Sequence, residues 1–193
     1  SQGRRVSRRA RGSAFGDGAG ECPPVNEERY EAISRPFRDN PSALQMLTLV
    51  NDGLKWLCYV LYPVLLVLLA LHEPTELLRA ILTPAVLFVG LSAFRRLYDA
   101  PRPYEALEID PLMHKSTKGR SFPSRHIFSI FMIAMCWLAY CVPSGVFLLV
   151  CGVFMAAIRV IGGVHYPKDV IAGALVAIVG GIVGLWVLPL SWF

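Results

Sequence analysis

Five apolar runs dominate this chain and leave it few ways to fold. They are Leu54–Leu71, Leu77–Phe94, His126–Val142, Gly145–Ile161 and Val170–Leu190. About 20 apolar residues cross the hydrocarbon core of a bilayer. In lipid each backbone polar group must be bonded within the protein, which selects helices over open strands. Lys55, Arg79 and Arg159 are the strong charges inside these runs, each near an end, and Val170–Leu190 carries none. The expected fold is therefore all-α, an integral membrane bundle of about five transmembrane helices. The composition agrees: 54% of residues are hydrophobic and 17% charged, where a soluble domain carries about a quarter charged residues. A disordered chain, a collagen-like chain and an ordinary soluble enzyme are excluded. Pro63 and Pro84 fall inside runs, where bends are tolerated. Gly173, Ala177 and Gly181 recur at a spacing of four, a small-residue stripe that reads as close helix packing, with dimerisation as the lesser alternative.

What precedes the spans is polar. Residues 1–28 are rich in Arg, Gly and Ser and read as a disordered basic tail. Arg4, Arg5, Arg8, Arg9 and Arg11 suit either orientation signalling or anionic headgroups. The first 20 residues have no apolar centre and do not read as a signal peptide. The chain begins at Ser1 rather than Met, which leaves room for residues upstream. Residues 29–53 are mixed, and Pro41-Ser42 before an apolar stretch predicts an interfacial, amphipathic helix. The membrane domain proper is expected over 54–193. Cys58, Cys136, Cys141 and Cys151 lie in apolar surroundings and form no CxxC pair, so they read as small buried hydrophobes. Nucleic-acid binding is not expected despite the net charge of +5, because Phe15 is the single aromatic residue in the tail.

Five spans would put the tail and the loops at 95–125 and 162–169 on one side of the membrane. Of the 19 Lys and Arg, all but Arg79 fall on or near that side. The charge bias places the tail in the cytoplasm. The side that the loops face follows from span parity and stays open.

Three polar clusters interrupt the apolar chain, all at this one end. They are Arg95 to Pro103, Phe122 to His126 and Arg159 to Asp169. Ionisable residues at a membrane edge are costly and mark function by default. In the second cluster Pro123-Ser124 opens a helix with Ser124 as N-cap, and a helix N-terminus favours phosphate. His126 in its first turn is placed to give a proton to a leaving oxygen. In the third, His165 and Asp169 are four apart. On a helix they would share a face, the carboxylate holding one imidazole nitrogen and leaving the other nucleophilic. Arg159 at a span end needs an anionic partner. Arg95 and Arg102 flank a tight segment and would converge on one phosphate. Singly, each cluster has a structural explanation: a capped helix start, a His–Asp cap, bases at a membrane edge. Together they supply cations, two histidines, one carboxylate and a helix N-terminus, without a carboxylate or cysteine cluster suited to a metal. That set fits metal-free, cofactor-free phosphoryl transfer. His165 would attack phosphorus and His126 would protonate the leaving group. Arg95, Arg102, Arg159 and the N–H groups around Ser124 and Arg125 would hold the phosphoryl oxygens.

These residues resemble the type 2 phosphatidic acid phosphatase superfamily, which also contains vanadium haloperoxidases. Its pattern is Lys, six residues, Arg-Pro; then Pro-Ser-Gly-His; then Ser-Arg, five residues, His, three residues, Asp. The chain has Arg95, six residues, Arg102-Pro103; Pro123-Ser124-Arg125-His126; and Ile158-Arg159, five residues, His165, three residues, Asp169. The resemblance covers about residues 54–190. It implies a helical bundle with a phosphohistidine phosphatase site at the membrane surface. Its substrates would be lipid phosphates such as phosphatidic acid, phosphatidylglycerol phosphate or a polyprenyl diphosphate. Arg95 keeps the charge of the pattern's Lys. Arg125 replaces Gly and either crowds the phosphate or turns outward to a headgroup. Ile158 replaces Ser and removes a hydroxyl donor. Tyr104, Lys115, Lys118 and Arg120, in the long loop at 101–120, are candidate headgroup contacts. The alternative class is a catalytically silent membrane scaffold of the same fold. The apolar spans argue against a haloperoxidase, and the last span has no polar stripe suited to a pore.

Overall fold

The structure, a computed structural model, describes residues 27–107, 109–113 and 118–188. Most of the tail, including Arg4 to Arg11, lies outside the described residues, as does Lys115. The described residues form seven α-helices and no strand: α1 Glu27–Arg38, α2 Pro41–His72, α3 Pro74–Tyr98, the short α4 Pro103–Ala106, α5 Arg125–Tyr140, α6 Val142–Ile161 and α7 Pro167–Ile182. A π-helical turn, Val183–Val187, extends α7.

Local sequence sets the helix starts. Proline occupies the first turn of α2, α3, α4, α6 and α7, where a missing N–H costs nothing and a fixed φ is helical already. Asn40 caps α2, its side chain accepting the N–H groups of Ser42 (3.1 Å) and Ala43 (3.3 Å). From Pro41 this helix runs unbroken to His72, so the segment expected at the interface is continuous with the first apolar run. Pro63 and Pro84 both sit within unbroken helices.

Four helical stretches, Pro41–His72, Pro74–Ala106, Val142–Ile161 and Pro167–Val187, are long and apolar enough to cross a membrane. The apolar windows of the first two are each only 17% buried within the protein. Val67, Leu71, Val86, Val89, Phe154 and Val179 are exposed, a surface that needs lipid rather than water. The fifth expected span differs. At 16 residues α5 is about 24 Å long, short of the roughly 30 Å hydrocarbon core. It is the centre of the bundle, packed chiefly on α6 and α7. Ile127, Phe128, Ile130, Phe131, Met132, Ala134, Met135, Cys136 and Trp137 are all buried. Its apolar character serves the protein core, so it has no need to match the bilayer.

The small-residue stripe of α7 faces α5. A β-carbon on Gly173 would lie 2.6 Å from the Ser124 carbonyl oxygen, and one on Gly181 3.0 Å from Met135. Close packing inside one chain therefore accounts for the stripe. It also presses the start of α7 against the start of α5, which is where the polar clusters meet.

On the same end, α1 latches the 109–113 segment. The Tyr30 hydroxyl accepts the Leu112 N–H at 3.0 Å, and Arg38 pairs with Asp110 at 2.8 Å. Met113 N–H in turn donates to the Gly162 carbonyl at 3.2 Å. Gly163 has φ +72, and a side chain there would meet the Tyr30 hydroxyl at 2.7 Å.

Gly173→Ala should cost about 1–3 kcal/mol by overpacking against backbone, read as a lower Tm in detergent. Gly90→Ala, with nothing within 4 Å of the new carbon, should leave Tm unchanged or raise it. Equal melting of the two variants would contradict this packing.

Candidate active site

Helix ends carry every polar cluster to one end of the bundle. Arg95 is in the last turn of α3, Ser124 immediately precedes α5, Arg159 is in the last turn of α6 and Asp169 is in the first turn of α7. Arg95, Arg102, Ser124, Arg159, His165 and Asp169 are all buried. Buried ionisable groups at this density are a functional signature in a chain that otherwise buries hydrocarbon.

The histidine–carboxylate pair forms, by a different geometry from the one that the spacing suggests. Pro167 starts α7, and Tyr166 before it is extended (φ −74, ψ 155). His165 thus lies in the turn ahead of the helix rather than on it. Asp169 reaches back over the helix start. Its Oδ2 accepts the Tyr166 N–H at 3.0 Å and faces His165 Nδ1 at 3.4 Å. The Ser121 hydroxyl donates to the same Oδ2 in a short hydrogen bond and sits 3.3 Å from His165 Nδ1. This network assigns the imidazole proton to Nδ1 and leaves the Nε2 lone pair for attack. Burial pushes the His165 imidazole down to about 4, with the Asp169 hydrogen bond opposing and Arg102 and Arg159 reinforcing. The ring is neutral at physiological pH, the form that a nucleophile requires.

Ser121 is a site residue that motif spacing did not mark. Its partner Asp169 is 48 positions away, and a lone serine two residues before Pro123 carries no periodic or motif signal.

The arginines divide by task. Arg159 is fully buried, and none of its three side-chain nitrogens has a hydrogen-bond partner among the described residues. A desolvated guanidinium of this kind is stabilised by an anion. Arg102 donates from Nε to the Gly119 carbonyl (3.1 Å) and from Nη1 to the Val164 carbonyl (3.4 Å). Arg95 donates to the carbonyls of Arg120, Ser121 and Pro123, the Ser121 bond being 3.2 Å. Its guanidinium holds the 120–123 loop in place while adding positive charge. Glu105 completes the clasp, accepting the N–H groups of Arg102 (2.8 Å) and Gly119 (2.9 Å).

The start of α5 keeps donors available. Ser124 makes no side-chain cap bond, and its buried Oγ has no partner among the described residues. The N–H of Ser124 itself is taken by the Asp169 carbonyl at 2.9 Å. The next N–H groups, from Arg125 onward, are those that a helix N-terminus offers to an anion. His126 is half-buried in this first turn. Arg125 turns outward: it is exposed, with its guanidinium 6.0 Å from the centre of the Phe88 ring. Of the two alternatives for this residue, crowding the phosphate and turning away, the geometry is the second. Ile158 is buried in α6. Among the candidate headgroup contacts, Tyr104 is half-buried on α4 and Lys118 is exposed. Arg120 is exposed with its Nε 4.0 Å from Asp99.

The family model of the PAP2 superfamily matches residues 73–192. The crystal structure of Aquifex aeolicus LpxE superposes with a TM-score of 0.65 and 27% sequence identity, covering 83% of this chain and 94% of that one. The bacitracin transport permease protein BcrC of Bacillus licheniformis is 35% identical over 69 residues, which is 36% of this chain. The match spans about a third of that relative's length (34%). With the family model covering more than half of the chain, and with helices long and apolar enough to cross a membrane, the chain belongs to the PAP2 superfamily.

Proposed function

We propose that the protein hydrolyses a lipid phosphate or diphosphate in a bacterial cell membrane through a phosphohistidine on His165, using no metal. Phosphatidic acid, phosphatidylglycerol phosphate and polyprenyl diphosphates are the candidate substrates. The observation that carries the reading is the fully buried Arg159 guanidinium, which makes no hydrogen bond among the described residues and stands at the end of the bundle that holds the His165–Asp169 pair. The two relatives' bacterial sources support the location.

In the first step the Nε2 lone pair of His165 forms a bond to phosphorus as the bond from phosphorus to the lipid oxygen breaks. That oxygen takes a proton from His126 and leaves as the alcohol or the lipid monophosphate. Charge building on the equatorial oxygens meets Arg159, the Arg102 guanidinium and the N–H groups at the start of α5. Asp169 and Ser121 hold the Nδ1 proton, so the imidazole keeps its tautomer as positive charge develops. In the second step water attacks phosphorus while giving a proton to His126, and the phosphorus–nitrogen bond breaks with its electron pair returning to Nε2, which restores neutral His165 and releases phosphate. Arg95 acts through the loop that it holds. The outward Arg125 leaves the phosphoryl position uncrowded, which supports an active enzyme over a silent relative.

His165→Ala should abolish phosphate release from lipid substrates in micelles containing chelator. Arg159→Gln should lower kcat by about 10²–10³, the size seen when one transition-state charge ligand is lost. Retention of wild-type turnover by either folded variant would contradict the proposal.

The acid limb of kcat/KM reports the free enzyme. His165 must be neutral to attack, and its folded-state pKa is about 4. After correction for the substrate's own ionisation, activity should therefore hold through pH 6.5 and fall only as pH approaches about 4. A His165-dependent limb near the ordinary histidine value would contradict the buried, neutral nucleophile.

A further inference from the structure

Arg125 lines a cavity of about 320 Å³ together with Lys55, Tyr59, Phe88, His126 and Met155. Met155 is one helical turn before Arg159 on α6. A second cavity of about 570 Å³ shares Cys58, Tyr59, Phe88 and Ser129 with the first. It continues along α2 and α3 past Pro63 and Pro84, over the α5 residues Phe128 and Met132. The two form one groove, polar where His126 stands and apolar beyond, and Tyr59 and Phe88 on its wall are exposed on the lipid-facing surface.

Two cations sit where the groove changes from polar to apolar. A lipid with a single phosphate would place only an ester linkage and hydrocarbon there, and neither calls for a cation. A guanidinium facing such a groove is stabilised by an anionic partner. The ring contact with Phe88 is weak and leaves Arg125 able to turn onto an oxyanion. Lys55 is held beside the cavity by Asp52 at 2.6 Å. Counting Asp52 against Arg125 and Lys55, the mouth stays positive.

We propose that Arg125 and Lys55 form a second anion subsite on the leaving-group side of His126, and that the preferred substrate carries a second phosphate between its lipid tail and the phosphate passed to His165. The proposal rests on the phosphatase reading above. The second phosphate stays with the leaving group, whose oxygen takes the proton from His126, and Arg125 and Lys55 neutralise the charge that it retains. A polyprenyl diphosphate and phosphatidylglycerol phosphate both have this chemistry, and phosphatidic acid does not.

The test is kcat/KM of the full chain in mixed micelles on two matched pairs. One pair is farnesyl diphosphate against farnesyl phosphate. The other is dioleoyl phosphatidylglycerol phosphate against dioleoyl phosphatidic acid. The two-phosphate member of at least one pair should be preferred. Arg125→Gly and Lys55→Gln should each reduce that preference by about tenfold, and Arg125→Lys should retain part of it, as expected for a lost charge-assisted contact. A response confined to the first pair identifies a diphosphate, and one confined to the second identifies a distal phosphodiester. Unchanged ratios in Arg125→Gly and Lys55→Gln, or an equal loss on every substrate, would overturn the subsite while leaving the phosphatase reading intact. No release from any of the four lipids by folded wild-type protein would overturn both.

Discussion

Asp169 is the point on which the active end of the molecule depends. Its backbone carbonyl takes the Ser124 N–H and so fixes the start of α5 against the start of α7. Its Oδ2 gathers the Ser121 hydroxyl, the Tyr166 N–H and the His165 imidazole. One residue thus joins two segments that are distant in sequence, 121–124 and 165–169. A fully buried carboxylate is expensive unless bonded and balanced by opposite charge. The bonds are these three, and the balance comes from the arginines around it. The absence of a side chain at Gly173 is what lets the two helix starts approach closely enough for the arrangement to exist.

The cations impose the complementary constraint. Arg95 and Arg159 are buried, each in the field of Arg102, with Arg125 and Arg120 also near Arg95, and this repulsion is only partly met by Asp169 beside Arg95 and Asp52 beside Arg159. Two of the three buried ones are tied to loop carbonyls, which orients them without neutralising them. Arg159 has no such tie. An anion of high charge density relieves the whole set at once. A phosphoryl group gaining negative charge in its transition state relieves it most, which is the physical content of electrostatic catalysis.

Much of this was legible in the sequence, for identifiable reasons. The apolar runs predict membrane helices because hydrocarbon admits few alternatives, and α2, α3, α6 and α7 follow them. The run at 126–142 was legible as a helix but not as the buried centre of the bundle, because an apolar face against protein and one against lipid look alike in sequence. The spacing of His165 and Asp169 pointed to a pairing that forms from a turn ahead of α7 rather than along a helix face. Pro167 was the available sign that the helix begins after His165. The outward turn of Arg125 was undetermined until Phe88, on another helix, was placed beside it. Ser121 was invisible because its role depends wholly on long-range packing.

The central claim is a covalent phosphate on His165. Rapid-quench incubation of the full chain with a lipid labelled on its terminal phosphate, followed by peptide mapping, tests it directly. The account predicts labelled protein during turnover, stable in alkali and lost in acid as a phosphoramidate is, with the label on the peptide containing His165. Steady hydrolysis with no labelled protein, or an alkali-labile label mapping to Asp169, would contradict it.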